Sequence, residues 1–224
     1  RYWHPMSAEV AKQVAAYAPD EIIFLPLYPQ FSTTTSESSF NDFPIKPTKT
    51  ICCYPFEEDF INAHVELIKP HLEQHPNARI LFSAHGLPKK VIDAGDPYQW
   101  QVEQTSKAVA EKLSAKDYVV CYQSKVGPLE WLKPNTEDEI IKAAKDGVPI
   151  ILTPIAFVSE HSETLVELDI QFKELAEEEG AKTYIRIPAL GTHPLFIKSL
   201  AKLVKNENKQ KRICPQEFCK CKTA

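Results

Sequence analysis

Apolar runs of strand length alternate with amphipathic helical patterns along almost the whole chain. No other feature limits the possible folds as strongly. Strand-like runs occupy Glu21–Leu27, Thr50–Tyr54, Ala78–Ala84, Asp117–Tyr122, Pro149–Phe157 and Thr183–Pro188. Between them, helical periodicity covers Ala8–Tyr17, Glu57–Gln74, Tyr98–Leu113, Thr136–Lys145, Ser162–Glu178 and Leu195–Val204. Alternation of this kind predicts an α/β fold with an open, doubly wound parallel sheet and helices on both faces. With 224 residues, 43% of them apolar, the chain can bury a large core as one large unit, or as one complete and one partial unit. The Ser/Thr run Ser32–Ser39 reads as a loop feeding a helix N-terminus, where hydroxyls satisfy free backbone donors.

A net charge of -4 and a pI near 6.0 argue against a nucleic-acid partner, which would show a concentrated basic face. The longest apolar run, Ile150–Val158, is too short to cross a bilayer. No basic-then-apolar leader opens the chain at Arg1, which sets the expectation of a cytosolic protein with reduced or metal-bound thiols. A start at Arg rather than Met sets the further expectation that a segment precedes it. Three of the six cysteines, Cys214, Cys219 and Cys221, crowd the C-terminus, and Cys52 and Cys53 stand adjacent upstream. A C-x4-C-x-C tail plus one upstream thiol supplies the four thiolates that an iron–sulfur cluster or a structural zinc requires. The plain alternative is a frayed tail of solvated thiols. Cys121, inside a buried strand, reads as a packed thiol.

Ligands of doubly wound folds bind beyond the carboxyl ends of the strands. The unusual polar residues of this chain fall there: His85 after the third strand, Gln123, Ser124 and Lys125 after the fourth, His161 and Glu163 after the fifth. A lone loop histidine is more often capped or solvated than catalytic. Three such strand ends at one edge favour a site. His161, Glu163, Glu167 and Asp169 open the following helix, where carboxylates gain from the helix dipole. Glu163 and Glu167 lie one turn apart, a like-charge spacing that a bound hard cation would relieve and that otherwise describes a solvated face.

Five collinear segments now identify a family. Leu27-Tyr28-Pro29-Gln30-Phe31-Ser32, Phe82-Ser83-Ala84-His85-Gly86-Leu87-Pro88, Gly95-Asp96-Pro97-Tyr98, Gln123-Ser124-Lys125-Val126-Gly127-Pro128 with Trp131, and Pro154 through Leu165 together resemble ferrochelatase, which inserts ferrous iron into protoporphyrin IX to form protohaem. The resemblance runs from Arg1 to about Val204 and matches the C-terminal two-thirds of such enzymes. It implies two Rossmann-like doubly wound parallel-sheet domains with a porphyrin cleft between them, the first incomplete in this chain. Residues 1–45 would belong to the N-terminal domain and 46–190 to the C-terminal one. Residues 191–224 would form a returning helix and the cysteine tail.

Metal insertion requires two pyrrole N–H protons to be removed and the ring to be bent. Imidazole is the side chain that titrates near neutrality, so His85 suits the proton transfer. The resemblance gives His85 that role and contact with Fe²⁺, Glu163 that of metal ligand or proton partner, and His161 that of steadying Glu163. Glu167 continues the metal path, which then meets Gln171 where family members carry another carboxylate. Bending the ring draws on binding energy from the walls, for which Tyr2, Trp131 and Phe157 match, with Arg1, Gln123, Ser124 and Lys125 as further substrate contacts. Core packing is the competing reading of Phe157. Some members hold a [2Fe–2S] cluster on three C-terminal thiolates and one internal one, which implies Cys214, Cys219 and Cys221. The internal ligand of animal members falls at Thr33 here. In certain bacterial members it lies downstream, leaving Cys52 or Cys53, which strand alternation would send to opposite faces. A homodimer and peripheral contact with the inner face of a membrane are further implications. Competing readings are a chelatase for coproporphyrin III or another tetrapyrrole, and a non-catalytic iron–sulfur or zinc-binding module.

Overall fold

The computed structural model describes residues 3–206 and 211–221. Along the chain run α1 (Ser7–Tyr17), β1 (Ile23–Phe24), a π-helical turn (Thr33–Glu37) continuing into α2 (Ser38–Asp42), β2 (Lys49–Thr50), α3 (Glu58–Gln74), β3 (Arg79–His85), α4 (Lys89–Asp93) and α5 (Tyr98–Leu113). Then come β4 (Tyr118–Gln123), α6 (Thr136–Lys145), β5 (Ile150–Pro154), a π-helix (Glu163–Gln171) running into α7 (Phe172–Glu178), β6 (Tyr184–Arg186) and α8 (Pro194–Lys205). Four parallel strands form the main sheet in the order β4-β3-β5-β6, and β1 pairs in parallel with β2 in a separate small sheet.

The central strand shows why this sequence makes a doubly wound layer. Ile80, Phe82 and Ala84 of β3 are buried in one apolar cluster together with Phe60, Val102 and Phe196 from α3, α5 and α8. Leu81 faces the opposite way, into a second cluster with Ile140, Leu168 and Phe172. A strand covered on both faces needs a continuous apolar run, and β3 supplies it. Its carboxyl end carries His85 out of the core.

Several expected strands are cut short, and at three of them, β6 (Tyr184–Arg186, before Pro188) among them, the carboxyl end stops at or just before a proline. β1 covers only part of Glu21–Leu27, which contains Pro26, and β5 stops at Pro154. Proline brings no N–H to a ladder. The run Thr50–Tyr54 is also not a strand beyond Thr50. Ile51 N still donates to Phe24 O (2.8 Å), but beyond it the run leaves the ladder, with Tyr54 N donating to Pro29 O (2.8 Å) and the Tyr54 hydroxyl to Pro26 O (3.0 Å). The Ser/Thr run is not a loop: only Ser32 precedes the helix, and Thr33 to Ser39 form its turns. Ser32 Oγ accepts from Thr34 N at 3.1 Å, as the hydroxyl reading predicts.

The single α-helix expected over Ser162–Glu178 is instead a π-helix over Glu163–Gln171. Such wide turns are rare and cluster at functional sites. The tail over residues 211–221 is not frayed. Arg212 donates to the carbonyls of Cys214 (3.0 Å), Pro215 (2.8 Å) and Phe218 (3.0 Å), closing a loop around its guanidinium. That loop packs on the start of α5, with Lys220 N on Gly95 O (3.2 Å) and the Phe218 ring against Trp100. Among the described residues no helix is long and apolar enough to cross a membrane.

Candidate active site

A cleft of about 670 Å³ opens where the carboxyl ends of β3 and β5 face the segment around Tyr28, Gln30 and Thr34. His85, Phe157, His161 and Glu163 line it together. A cavity of similar size, about 700 Å³, sits at the amino ends of β3 and β4, beside Ala78 and Asp117. That is the end of a parallel sheet where doubly wound folds do not place chemistry.

The geometry of His85 fixes its proton. Nδ1 lies 2.6 Å from Gly86 O, and a carbonyl can only accept, so Nδ1 carries the hydrogen. In the neutral ring Nε2 therefore presents its lone pair, 3.6 Å from Glu163 Oε2. Both side chains remain partly open to the cleft. The Tyr98 hydroxyl donates to His85 O at 3.0 Å and pins the backbone behind the ring. Burial, helped by the Asp96 and Glu163 carboxylates, raises the Tyr98 phenol well above its usual range and keeps it a donor. Asp96 is itself buried and accepts from Ser32 Oγ (3.0 Å), Thr33 N (2.7 Å), Thr33 Oγ1 (2.7 Å) and Tyr98 N (3.0 Å). That one carboxylate ties Ser32 and Thr33 to the start of α5, whose Tyr98 in turn holds the backbone at His85. Asp96 and Tyr98 lie within the Gly95–Tyr98 segment, and the sequence alone assigns them no role. A carboxylate two residues before a helix-opening tyrosine is the signal that was available.

His161 Nδ1 accepts from Glu163 N at 3.2 Å, so the histidine holds the first turn of the π-helix that presents Glu163. The Phe157 ring packs edge-on against His161 (centroids 4.6 Å) and His85 (6.4 Å), which makes it a cleft wall as well as a packing residue. Trp131 stands 6.5 Å from His85 with its Nε1 donating to Val126 O (3.1 Å).

The Gln123–Lys125 segment divides by depth. Gln123 is buried; its Oε1 accepts from Ser83 Oγ (2.8 Å) and its Nε2 donates to Glu167 Oε2 (2.9 Å) and Glu163 O (3.2 Å). Ser124, at a left-handed φ of 62°, donates from N (2.9 Å) and Oγ (2.5 Å) to Glu167. Lys125 is exposed. Glu167 is thus held by three donors rather than standing free beside Glu163. Asp169 leaves the acidic row altogether: it pairs with Arg186, which also holds Glu160 at 2.6 Å. Hydrogen bonding to Asp169 and Glu160 raises the Arg186 guanidinium above its usual range. Gln171 is exposed, and Arg1 and Tyr2 lie outside the described residues.

The cysteines form a second locus. Cys52 and Cys53 are neighbours, both buried beside Phe31, and no strand alternation separates them. Cys214 and Cys221 are buried near them, the Cys214 thiol interacting with both Cys221 and Cys52. Cys219 is exposed, with its thiol against Gly95 and donating to Ala94 O at 3.5 Å. Burial drives the Cys214 thiol up to about 12, and the hydrogen bond with Cys52, then burial, raise Cys53. Among the described residues no three His, Cys, Asp or Glu side chains converge closely enough to share one ion. Cys121 is fully buried in β4 and, raised to about 12 by burial, is a packed thiol.

A sequence model of ferrochelatase matches residues 1–208. A ferrochelatase of Rickettsia bellii (strain OSU 85-389) is 54% identical, the match covering 99% of this chain and 67% of that protein. One from Pelagibacter ubique (strain HTCC1062) is 49% identical over 99% of this chain and 70% of that protein. Among solved structures, SirB from Bacillus subtilis with Fe3+ superposes with a TM-score of 0.59 at 16% identity, covering 92% of this chain and 78% of that one. CbiX, the terminal enzyme for biosynthesis of siroheme in denitrifying bacteria, gives 0.57 at 17% identity over 86% and 78%. At these identities the structural likeness establishes the chelatase fold. From the family model and the half-identical relatives, the chain belongs to the ferrochelatase family, metal chelatases that insert a metal into porphyrin for haem synthesis.

Proposed function

We propose that the cleft binds protoporphyrin IX and inserts Fe²⁺ into it, with His85 Nε2 accepting a pyrrole proton and Glu163 facing it as metal ligand or proton partner. The observation that carries this is the ring's orientation: Gly86 O holds the Nδ1 proton, so that in the neutral ring the Nε2 lone pair faces the cleft and Glu163. Insertion releases two protons from the two pyrrole N–H groups, and the dianionic ring takes up Fe²⁺ in their place. A paired imidazole and carboxylate can receive both. Phe157 and Trp131 are the aromatic walls against which the ring is bent, with Lys125, Arg1 and Tyr2 as further substrate contacts. We assign Gln123 and Ser124 to holding Glu167, the next carboxylate on the metal path. His161 positions Glu163 through its backbone. For the domain layout we propose units at 1–45 and 46–190 with the 191–224 segment returning, the pairing of β1 with β2 linking the end of the first unit to the start of the second.

We further propose a [2Fe–2S] cluster on Cys214, Cys219, Cys221 and Cys53, with Cys52 the alternative to Cys53. Such a cluster asks for only two thiolates per iron, so it does not need three ligands around one ion, whereas a structural zinc needs four. The donor set is all sulfur, and a Cβ at Gly95 would meet Cys219 Sγ at 2.6 Å, so the backbone there leaves room for that thiol alone. When bound, the cluster supplies a one-electron redox centre and ties the tail to the 52–53 segment.

The test is anaerobic porphyrin absorbance with Fe²⁺, run in parallel with protoporphyrin IX and coproporphyrin III. Metallation of protoporphyrin IX by the parent, slowed roughly 10²–10⁴-fold in His85→Ala, is the expected result for loss of a proton acceptor. Faster turnover of coproporphyrin III overturns the substrate assignment. A protein that binds iron and sulfide but leaves both spectra unchanged is a non-catalytic module.

A further inference from the structure

Gln101 is a fully buried amide in the second turn of α5, and nothing in the porphyrin chemistry uses it. Its Nε2 donates to Cys214 Sγ at 3.0 Å and to Cys53 Sγ at 3.5 Å. It thereby bridges the tail and the 52–53 segment, which are more than a hundred residues apart in sequence.

The direction of this amide is not arbitrary. Phe31 is itself fully buried and its backbone N donates to Gln101 Oε1 at 2.8 Å. A backbone N–H can only donate, so the oxygen must face Phe31 and the NH₂ must face the sulfurs. The helix fixes the stem from below, with Gln101 N on Pro97 O (2.9 Å) and Thr105 Oγ1 on Gln101 O (2.8 Å). The result is a rigid two-hydrogen donor aimed at two thiols in a dry corner. A buried amide costs free energy unless both ends are satisfied, and here sulfur satisfies one of them.

We infer that Gln101 is a positioning residue for the thiolate ligands of the proposed cluster, holding Cys214 and Cys53 at a common spacing and setting the cluster's reduction potential. This rests on the cluster reading above. Thiolate sulfurs carry more negative charge when iron is reduced, so N–H donors aimed at them stabilise the reduced form more than the oxidised one and raise the potential. Removing the donor must lower it.

The experiment uses the whole chain, purified anaerobically, as parent, Gln101→Glu and Gln101→Met. Gln101→Glu is nearly isosteric and keeps the acceptor for Phe31 N, so it guards against simple misfolding, which circular dichroism checks. Bound iron and acid-labile sulfide are counted, and the midpoint potential is read by a dye-mediated titration followed by electron paramagnetic resonance of the reduced centre. Folded variants should either lose iron and sulfide or keep them at a more negative potential. The expected bias in the reduction equilibrium is about tenfold, or ~59 mV for a one-electron couple, and larger for the anionic Glu. Variants with parental iron content and parental potential overturn the role of Gln101 and leave the cluster standing. A parent that holds no iron and sulfide after anaerobic reconstitution overturns the cluster reading itself.

Discussion

His85 Nε2 and Glu163 Oε2 face each other at 3.6 Å across the mouth of the cleft, one from the end of β3 and the other from the first turn of a π-helix. That separation is longer than a made hydrogen bond. It suits a pair that closes on a proton or a metal rather than one spent on each other. Glu163→Gln keeps the shape and removes the charge. It should lower kcat/KM for iron insertion by roughly 10²-fold or more, with an unchanged melting temperature, checked by anaerobic absorbance kinetics and calorimetry.

Glu167 has a different task. It accepts from Ser124 N, Ser124 Oγ and Gln123 Nε2, and so holds a turn whose Ser124 sits at φ 62°. Glu167→Ala leaves these donors without their acceptor, at a cost of about 1–3 kcal/mol. In a chain of this size the melting temperature should fall by roughly 2–12 °C. An unaltered melting temperature with impaired metal uptake would assign Glu167 to cation transit alone.

One contribution to acid stability lies away from the cleft. His64 of α3 is buried against the Phe60 ring, neither ring nitrogen has a hydrogen-bond partner, and its pKa falls from 6.5 to about 3, first through burial and then through nearby His193. The unfolded chain takes up this proton below pH 6.5 and the folded chain only near 3. Between those values the unfolded state binds more protons, so stability rises with pH across the window. The slope from this group approaches 1.4 kcal/mol per pH unit. His64→Leu should flatten the pH dependence of urea midpoints between pH 6 and 4 relative to the parent; parallel curves would remove His64 from the account.

How much of this was legible in the sequence varies with the range of the interaction. The ends of α5 and α6 agree with their amphipathic patterns, and β3 with its apolar run, because local periodicity and burial coincide there. The strand-end rule brought His85, His161 and Glu163 together correctly, since a parallel sheet delivers every carboxyl end to one edge. The π-helix was not legible: Glu163 and Glu167 at four-residue spacing read as an ordinary helical face. The same limit put Asp169 in an acidic row that Arg186, seventeen residues on, dismantles. Gln101 left no signal, because a buried amide is indistinguishable from a surface one until the sulfurs and Phe31 arrive from distant parts of the chain.

Gly95 holds the tail's seat. Its φ is +92°, and an added Cβ would meet Cys219 Sγ at 2.6 Å and Cys219 N at 3.2 Å. Gly95→Ala imposes both backbone strain, of order 1–3 kcal/mol, and a clash with the tail. The expected outcome is faster alkylation of Cys214 and Cys221 in the cluster-free protein, with Cys121 still protected in β4. Mass spectrometry after timed iodoacetamide labelling reads this site by site, and unchanged labelling would show that the tail is seated independently of Gly95.

The central claim is that His85 accepts a proton through Nε2, and chemical rescue tests it most directly. Single-turnover iron insertion is followed by absorbance in the parent and in His85→Ala, each with and without added imidazole. The account predicts a large loss of rate in His85→Ala that imidazole partly restores, with no effect of imidazole on the parent. Insertion by His85→Ala at the parental rate would contradict it.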